Sequence, residues 1–294
     1  MDSQKLVPGG IAIFASVLIP CSFVIYVDFI KKLAASKLIR NRGGTKNDEY
    51  KDDYVSAIEF ELKERTSYRE AELKFFLPYS LLYLLILILL FLFIGPFFNF
   101  DIKEIYFSSI YNKSIISKFI GTITILIINF ILYSGLLIQF FIGNEQLYPK
   151  TPFCFFMENV YGPFLEEFVY RGVLFTLLRH AGYGGIASSI LSSLTFSLSH
   201  FRHVLDIYFH KGMLPHLIFQ SFYTLLFGFY TCYAYNYSGT IFAPILLHCV
   251  CNTLQLPRLK YLNDSSITQI QKHLISISYI VGIGLWIILI KIYH

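Results

Sequence analysis

Apolar residues run along this chain in long, nearly unbroken stretches. The stretches fall at 9–30, 75–98, 115–141, 157–178, 184–200, 213–237, 240–256 and 274–290. About 20 apolar residues in helical conformation are what a hydrocarbon core of about 30 Å requires, so the pattern predicts about eight membrane-crossing helices. The fifth and seventh stretches are short, as expected of tilted spans or spans flanked by snorkelling side chains. The one long polar region, 31–74, is mixed in charge and has a helical pattern in "SAIEFELKERTSYREAELKFF". Residues 142–156 read as an interfacial stretch. No internal repeat or low-complexity linker divides the chain, which is expected to form one domain over 1–294.

Composition sharpens the class. Of 294 residues, 55% are hydrophobic, 18% aromatic and 15% charged, and the mean hydropathy is +0.57. A soluble domain carries about 25% charged residues. The expected fold is therefore all-α, a polytopic integral membrane protein. The net charge of +5 calls for no nucleic-acid partner, because cytoplasmic loops of membrane proteins collect Lys and Arg. Five cysteines lie in apolar runs without paired spacing, which suggests neither a disulfide framework nor a zinc knuckle. The first apolar run has almost no basic segment before it and a basic cluster after it, and so reads as a retained signal-anchor span.

With eight spans, the loops 31–74, 142–156, 201–212 and 257–273 share one side and carry most of the 24 lysines and arginines. The positive-inside rule puts that side in the cytosol and the N-terminus opposite. The sequon Asn112-Lys113-Ser114 then falls on the lumenal side, close to a span.

Against this background three polar clusters stand out, since an ionisable group in a span costs about 2.5–3.5 kcal/mol and marks a functional site by default. The first is Glu166-Glu167-x-x-x-Arg171, within "YGPFLEEFVYRGVLF". Glu167 and Arg171 stand four apart with the acid first, the favourable order for a helical ion pair. Glu166 is rotated by about 100° and cannot share that arginine equally, which leaves one carboxylate held and one able to act as a base. The second is Phe196 and His200, in "TFSLSHFRH", and the third is His248 and Asn252, in "LLHCVCNTLQLP". An imidazole and a carboxamide four apart share a helix face and suit the stabilisation of an oxyanion. Each cluster has a plainer explanation: a structural ion pair, aromatic packing, interhelical hydrogen bonds. All three, however, fall in the cytosolic half of the predicted bilayer, which scattered structural polar residues have no reason to do.

These residues resemble the EExxxR, FxxxH and HxxxN motifs of the CAAX-protease and bacteriocin-processing superfamily. The stretches Phe196–Asp206 and Phe219–Pro257 resemble in particular its Ras-converting branch, the type II CAAX prenyl endopeptidases. The resemblance covers about residues 150–290, the expected catalytic core. It implies transmembrane helices enclosing an intramembrane catalytic cavity and a glutamate-type endopeptidase of the endoplasmic reticulum membrane, its active site open to the cytosol. Its partners would be farnesylated or geranylgeranylated CAAX-terminated proteins such as Ras-like small GTPases, together with membrane lipid. Carried over by motif position, Glu166 activates water and His200 helps to hold it. His248 and Asn252 stabilise the oxyanion, while Glu167, Arg171 and Phe196 orient the site; the alternative for Arg171 is to attract the terminal carboxylate of the substrate.

No cofactor is expected on this reading. A zinc-dependent protease of the same superfamily is the alternative, because Glu166, His200 and His248 are acceptable zinc ligands and His203 completes an HxxH pair. Against zinc, no HExxH helix is present and asparagine is a poor zinc ligand. A proton-coupled carrier would show inverted repeats with broken helices, and none is found. A catalytically inactive scaffold is the remaining alternative, opposed by competent residue types at all four proposed catalytic positions. Tyr170, four residues after Glu166, is placed to bring its hydroxyl to that carboxylate.

Overall fold

The computed structural model describes residues 18–19, 22–23, 25–26, 54–94, 103, 113–143, 151–200, 214–257 and 259–293. Helices account for nearly all of them. In chain order these are α1 (Tyr54–Ile94), α2 (Ile115–Leu132), α3 (Ser134–Gly143), the run α4 (152–180), α5 (Gly185–His200), α6 (Leu214–Ser238), α7 (Phe242–Leu254) and α8 (Gln269–Ile292), with a 3₁₀ turn at Leu259–Asn263. The described residues of the first apolar run are also helical, and Ile19 and Phe23 reach the core against Tyr83 of α1.

Among the described residues helices thus form at each predicted stretch, with several changes of boundary: α4 begins at Pro152, inside the expected interfacial stretch, and α8 begins at Gln269. α1 begins in the polar region and runs for 41 residues, about 60 Å at 1.5 Å per residue. That is twice the hydrocarbon thickness, so the second polar half of 31–74 is a helical extension of a span. The third stretch is broken at Tyr133, whose backbone leaves helical geometry (φ −84°, ψ 5°) between α2 and α3.

Among the described residues, three segments are long and apolar enough to cross a membrane, Arg69–Leu89, Ile115–Leu132 and Gln269–Ile292. α7 has 13 residues and α5 has 16, about 20 and 24 Å, and neither reaches across a hydrocarbon core unaided. Outward faces carry isoleucine, leucine and phenylalanine, for example Ile116, Phe119 and Ile127 on α2 and Ile277, Ile280 and Ile288 on α8. Apolar surface of that extent suits lipid as solvent, and the chain is a multi-pass membrane protein.

In lipid the apolar faces gain little from one another, so packing depends on small residues and buried polar contacts. α5 and α6 show this. A Cβ on Gly228 would lie 2.9 Å from Ser193 Cβ and 3.0 Å from its Cα, so the two backbones meet where only hydrogen fits. Ser197 Oγ, on the same face of α5, donates to the Ser221 carbonyl at 2.7 Å. α8 crosses the α2–α3 break in the same way, with Gly282 against Ser134 and the Ile131 carbonyl. The start of α8 is set by a capping box: Gln271 N donates to Thr268 Oγ1 at 3.3 Å and Thr268 N to Gln271 Oε1 at 2.8 Å.

α4 lies inside this shell and is the least regular helix. It is π-helical over Met157–Tyr161 and Phe168–Phe175 and α-helical elsewhere. Every residue of Phe168–Phe175 is buried. Widened turns upset the ordinary backbone ladder, and side chains supply bonds there: Ser192 of α5 donates to the Tyr170 carbonyl at 2.9 Å, and Thr176 to the Arg171 carbonyl at 3.2 Å.

Candidate functional site

The three sequence clusters come together around the second π-helical turn. α4 supplies Glu166, Glu167 and Arg171, α5 supplies Phe196 and His200, and α7 supplies His248 and Asn252. Arg171 and Glu167 are wholly buried, and Arg171 Nη1 donates to Glu167 Oε1 at 3.2 Å. The expected pair is therefore present, although the helix between its partners is π rather than α. A buried guanidinium needs more than one partner to offset its desolvation. Its Nη2 donates to the Gly228 carbonyl at 3.2 Å, and its flat face lies 4.5 Å from the centre of the Phe196 ring. Phe196 thus covers the arginine and holds His200, whose ring centre is 4.9 Å away.

His248 joins the two glutamates. Its Nδ1 is 2.8 Å from Glu167 Oε1, and its Nε2 is 3.9 Å from Glu166 Oε2. A carboxylate at Nδ1 fixes the ring's proton on that nitrogen and turns Nε2 toward Glu166. The two acids differ sharply in surroundings: the Glu166 side chain is 31% exposed and that of Glu167 is sealed. Phe227 of α6 closes the other side of His248, with ring centres 4.8 Å apart.

His248 and Asn252 line a cavity of about 360 Å³ together with His200, Tyr223, Phe227 and Leu256. His200 Nδ1 contacts the Phe196 carbonyl at 3.0 Å, within its own helix. Asn252 Nδ2 donates to the Glu158 carbonyl at 3.1 Å, so the carboxamide is anchored to the first π-helical turn and keeps a second N–H. The expected contact between the Tyr170 hydroxyl and Glu166 does not form. The Tyr170 ring instead stands edge-on to Phe196, with centres 5.1 Å apart, and its hydroxyl is buried. The expectations that concern His203, Asn112 and the first half of the polar region lie outside the described residues.

Three contributors were not singled out in the sequence: Glu158, Gly228 and Phe227. Glu158 stands eight residues before Glu166, about two turns of helix away. Gly228 is a lone glycine in an apolar run, a signal of close helix approach. Phe227 has no mark in a chain with 30 phenylalanines. Among the described residues no three His, Cys, Asp or Glu side chains converge on a point that could hold a metal ion.

Fold and site define a multi-pass helical membrane protein in which an imidazole bridges a sealed and an open carboxylate at the wall of a cavity. Residues 148–254, which include all three clusters, match the family described as Type II CAAX prenyl endopeptidase Rce1-like. The match to that family is confined to this segment. CAAX prenyl protease 2 of Caenorhabditis elegans is 34% identical over 104 residues, which are 34% of this chain and 39% of the relative. CAAX prenyl protease 2 of Homo sapiens is 26% identical over 140 residues, 46% of this chain and 41% of the relative. The membrane-embedded CAAX protease MroQ of Staphylococcus aureus is 28% identical over 127 residues, 37% and 44% of the two chains. The chain spans about two fifths of the length of the curated relatives it matches. No solved structure matches.

Proposed function

We propose that the protein is an intramembrane endopeptidase that removes the C-terminal aaX tripeptide from prenylated CAAX proteins by glutamate-activated water. The observation that carries this reading is the His248 bridge, with Glu167 at 2.8 Å and the more open Glu166 at 3.9 Å. The match of residues 148–254 to the type II CAAX prenyl endopeptidase family supports the substrate class.

The chemistry follows from the positions. Glu166 takes a proton from water, and the resulting hydroxide attacks the carbonyl of the prenylated cysteine, with His200 of the neighbouring cavity wall holding the water. Negative charge gathers on the carbonyl oxygen. It is met by the remaining N–H of Asn252 and by the His248 ring, which Glu167 orients through Nδ1. Glu166 then returns its proton to the leaving nitrogen as the C–N bond breaks. The products are a protein ending in prenylcysteine carboxylate and a free tripeptide. Glu167 and Arg171 do not react; they fix the orientation of His248. The apolar share of the cavity, Tyr223, Phe227 and Leu256, suits the lipid-bearing side of the substrate. Residence in the endoplasmic reticulum membrane with the site open to the cytosol belongs to the same proposal, and rests on family resemblance and on the charge of the loops.

The test is incubation of membranes containing the protein with a farnesylated CAAX peptide, with and without a strong chelator, and mass spectrometry of the products. Release of the intact tripeptide that survives the chelator is the expected result. Loss of release on chelation would favour the metal-dependent alternative, and no release in either condition would remove the endopeptidase reading.

A further inference from the structure

A second cavity, of about 400 Å³, lies on the α1 side of Glu166. Its walls include Leu73, Phe76, Met157 and Leu165, with Glu166 and Arg69 among its polar groups. Its volume is within the range of pockets that hold small organic ligands, about 300–1,000 Å³. Arg69 is the one lysine or arginine among the described residues lining either cavity. The other cation near the reacting groups, Arg171, is wholly buried and bound to Glu167 and the Gly228 carbonyl.

We propose, resting on the endopeptidase reading, that this second cavity receives the aaX segment of the substrate and that Arg69 binds its terminal α-carboxylate. The leaving segment has three chemical features: aliphatic side chains, a terminal carboxylate and, at the scissile bond, a nitrogen that must reach Glu166. The cavity offers an apolar wall, a guanidinium flanked by the carboxylates of Glu72 and Glu158, and Glu166 itself. The first cavity, which holds His200, His248 and Asn252, offers no fixed positive charge among its lining residues, so a carboxylate placed there would lose its hydration without gaining a cation.

Arg69 is held ready for this role. Its side chain is 41% exposed, Nε donates to Glu158 Oε1 at 2.7 Å, and Nη1 donates to Glu72 Oε2 at 2.8 Å. A guanidinium has five N–H donors in a fixed fork, so three are left for an incoming carboxylate. Glu158 and Glu72 also set the selectivity of the site: together they outweigh the single positive charge, so only a ligand that can make paired hydrogen bonds to the fork competes with them. Glu72, three residues along the same helix, is the competitor whose removal strengthens binding.

The experiment uses the full chain in membranes and two farnesylated CAAX peptides that differ only at the C-terminus, one a free acid and one an amide. Release of tripeptide or tripeptide amide is compared as kcat/KM. Wild type is expected to prefer the acid by about tenfold or more, the scale of one charge-assisted hydrogen-bonded contact. Arg69→Gln brings the ratio near one by slowing the acid and sparing the amide, Arg69→Lys keeps part of the preference, and Glu72→Gln raises it. A wild type that does not distinguish the peptides overturns the proposal, whatever the variants do. So does Arg69→Gln slowing both peptides equally, which would mean that Arg69 acts through Glu158 on Asn252. Should Arg69→Gln fail to accumulate, the acid-to-amide ratios of wild type and Glu72→Gln still decide, and a Glu72→Gln ratio at or below that of wild type overturns it. Wild type that cleaves neither peptide fails the endopeptidase reading itself and takes this proposal with it.

Discussion

Glu166 and Glu167 are neighbours in sequence, yet one is sealed between a guanidinium and an imidazole while the other stands at a cavity with its side chain 31% exposed. The asymmetry comes from their angular separation on the helix, and for that reason it was legible in the sequence. The bridge through His248 was not, because a contact 81 residues apart in the chain depends on how α7 meets α4. Nor was the anchoring of Asn252 on a backbone carbonyl, since carbonyls carry no residue type. Two outcomes follow at this scale. Glu167→Ala leaves Arg171 buried without its carboxylate, a loss on the order of 3–5 kcal/mol; a lower yield of folded protein and a lower unfolding temperature in detergent are expected, whereas Glu166→Ala keeps wild-type levels. On the proposed mechanism Asn252→Ala removes one oxyanion donor and is expected to lower kcat by about 10²–10³ with little change in KM. A change confined to KM would contradict the oxyanion role.

The positions of the helices could be read from the apolar runs, but their irregularities could not. The two π-helical turns of α4 and the break at Tyr133 arise from tertiary contacts, in which Ser192 and Thr176 supply bonds that a regular ladder would not need. Likewise the glycine at 228 is ordinary in a hydropathy scan and decisive in the packing, because its carbonyl can reach Arg171 only where α6 lies close to α5. Gly228→Ala forces these helices apart or distorts their side chains, with an expected cost of about 1–3 kcal/mol. Its signature is a lower unfolding temperature in detergent together with reduced turnover, since the Arg171 anchor moves with the helix. Unchanged stability and turnover would mean that the close approach does not matter.

At the scale of the whole molecule, hydropathy and the low share of charged residues predicted the membrane class, and the apolar outer faces agree with it. The shortness of α5 and α7 was legible too, as the short fifth and seventh stretches, and both helices fall below the thickness of the hydrocarbon core. Orientation is an expectation from loop charge alone. A single reporter cysteine within residues 41–50 is expected to react with an impermeant thiol reagent in sealed, cytosol-side-out vesicles; protection until the vesicles are opened would reverse the topology. Such an inversion would also put the substrate's peptide tail on the wrong side of the site. The decisive quantity is the turnover of Glu166→Gln in native membranes, measured against wild type with the farnesylated CAAX peptide at saturating concentration. Glutamine keeps the size and hydrogen-bonding reach of the side chain and removes its basicity. The mechanism predicts a fall in kcat of at least about 10²-fold with the protein present at wild-type levels, and turnover close to wild type would contradict it.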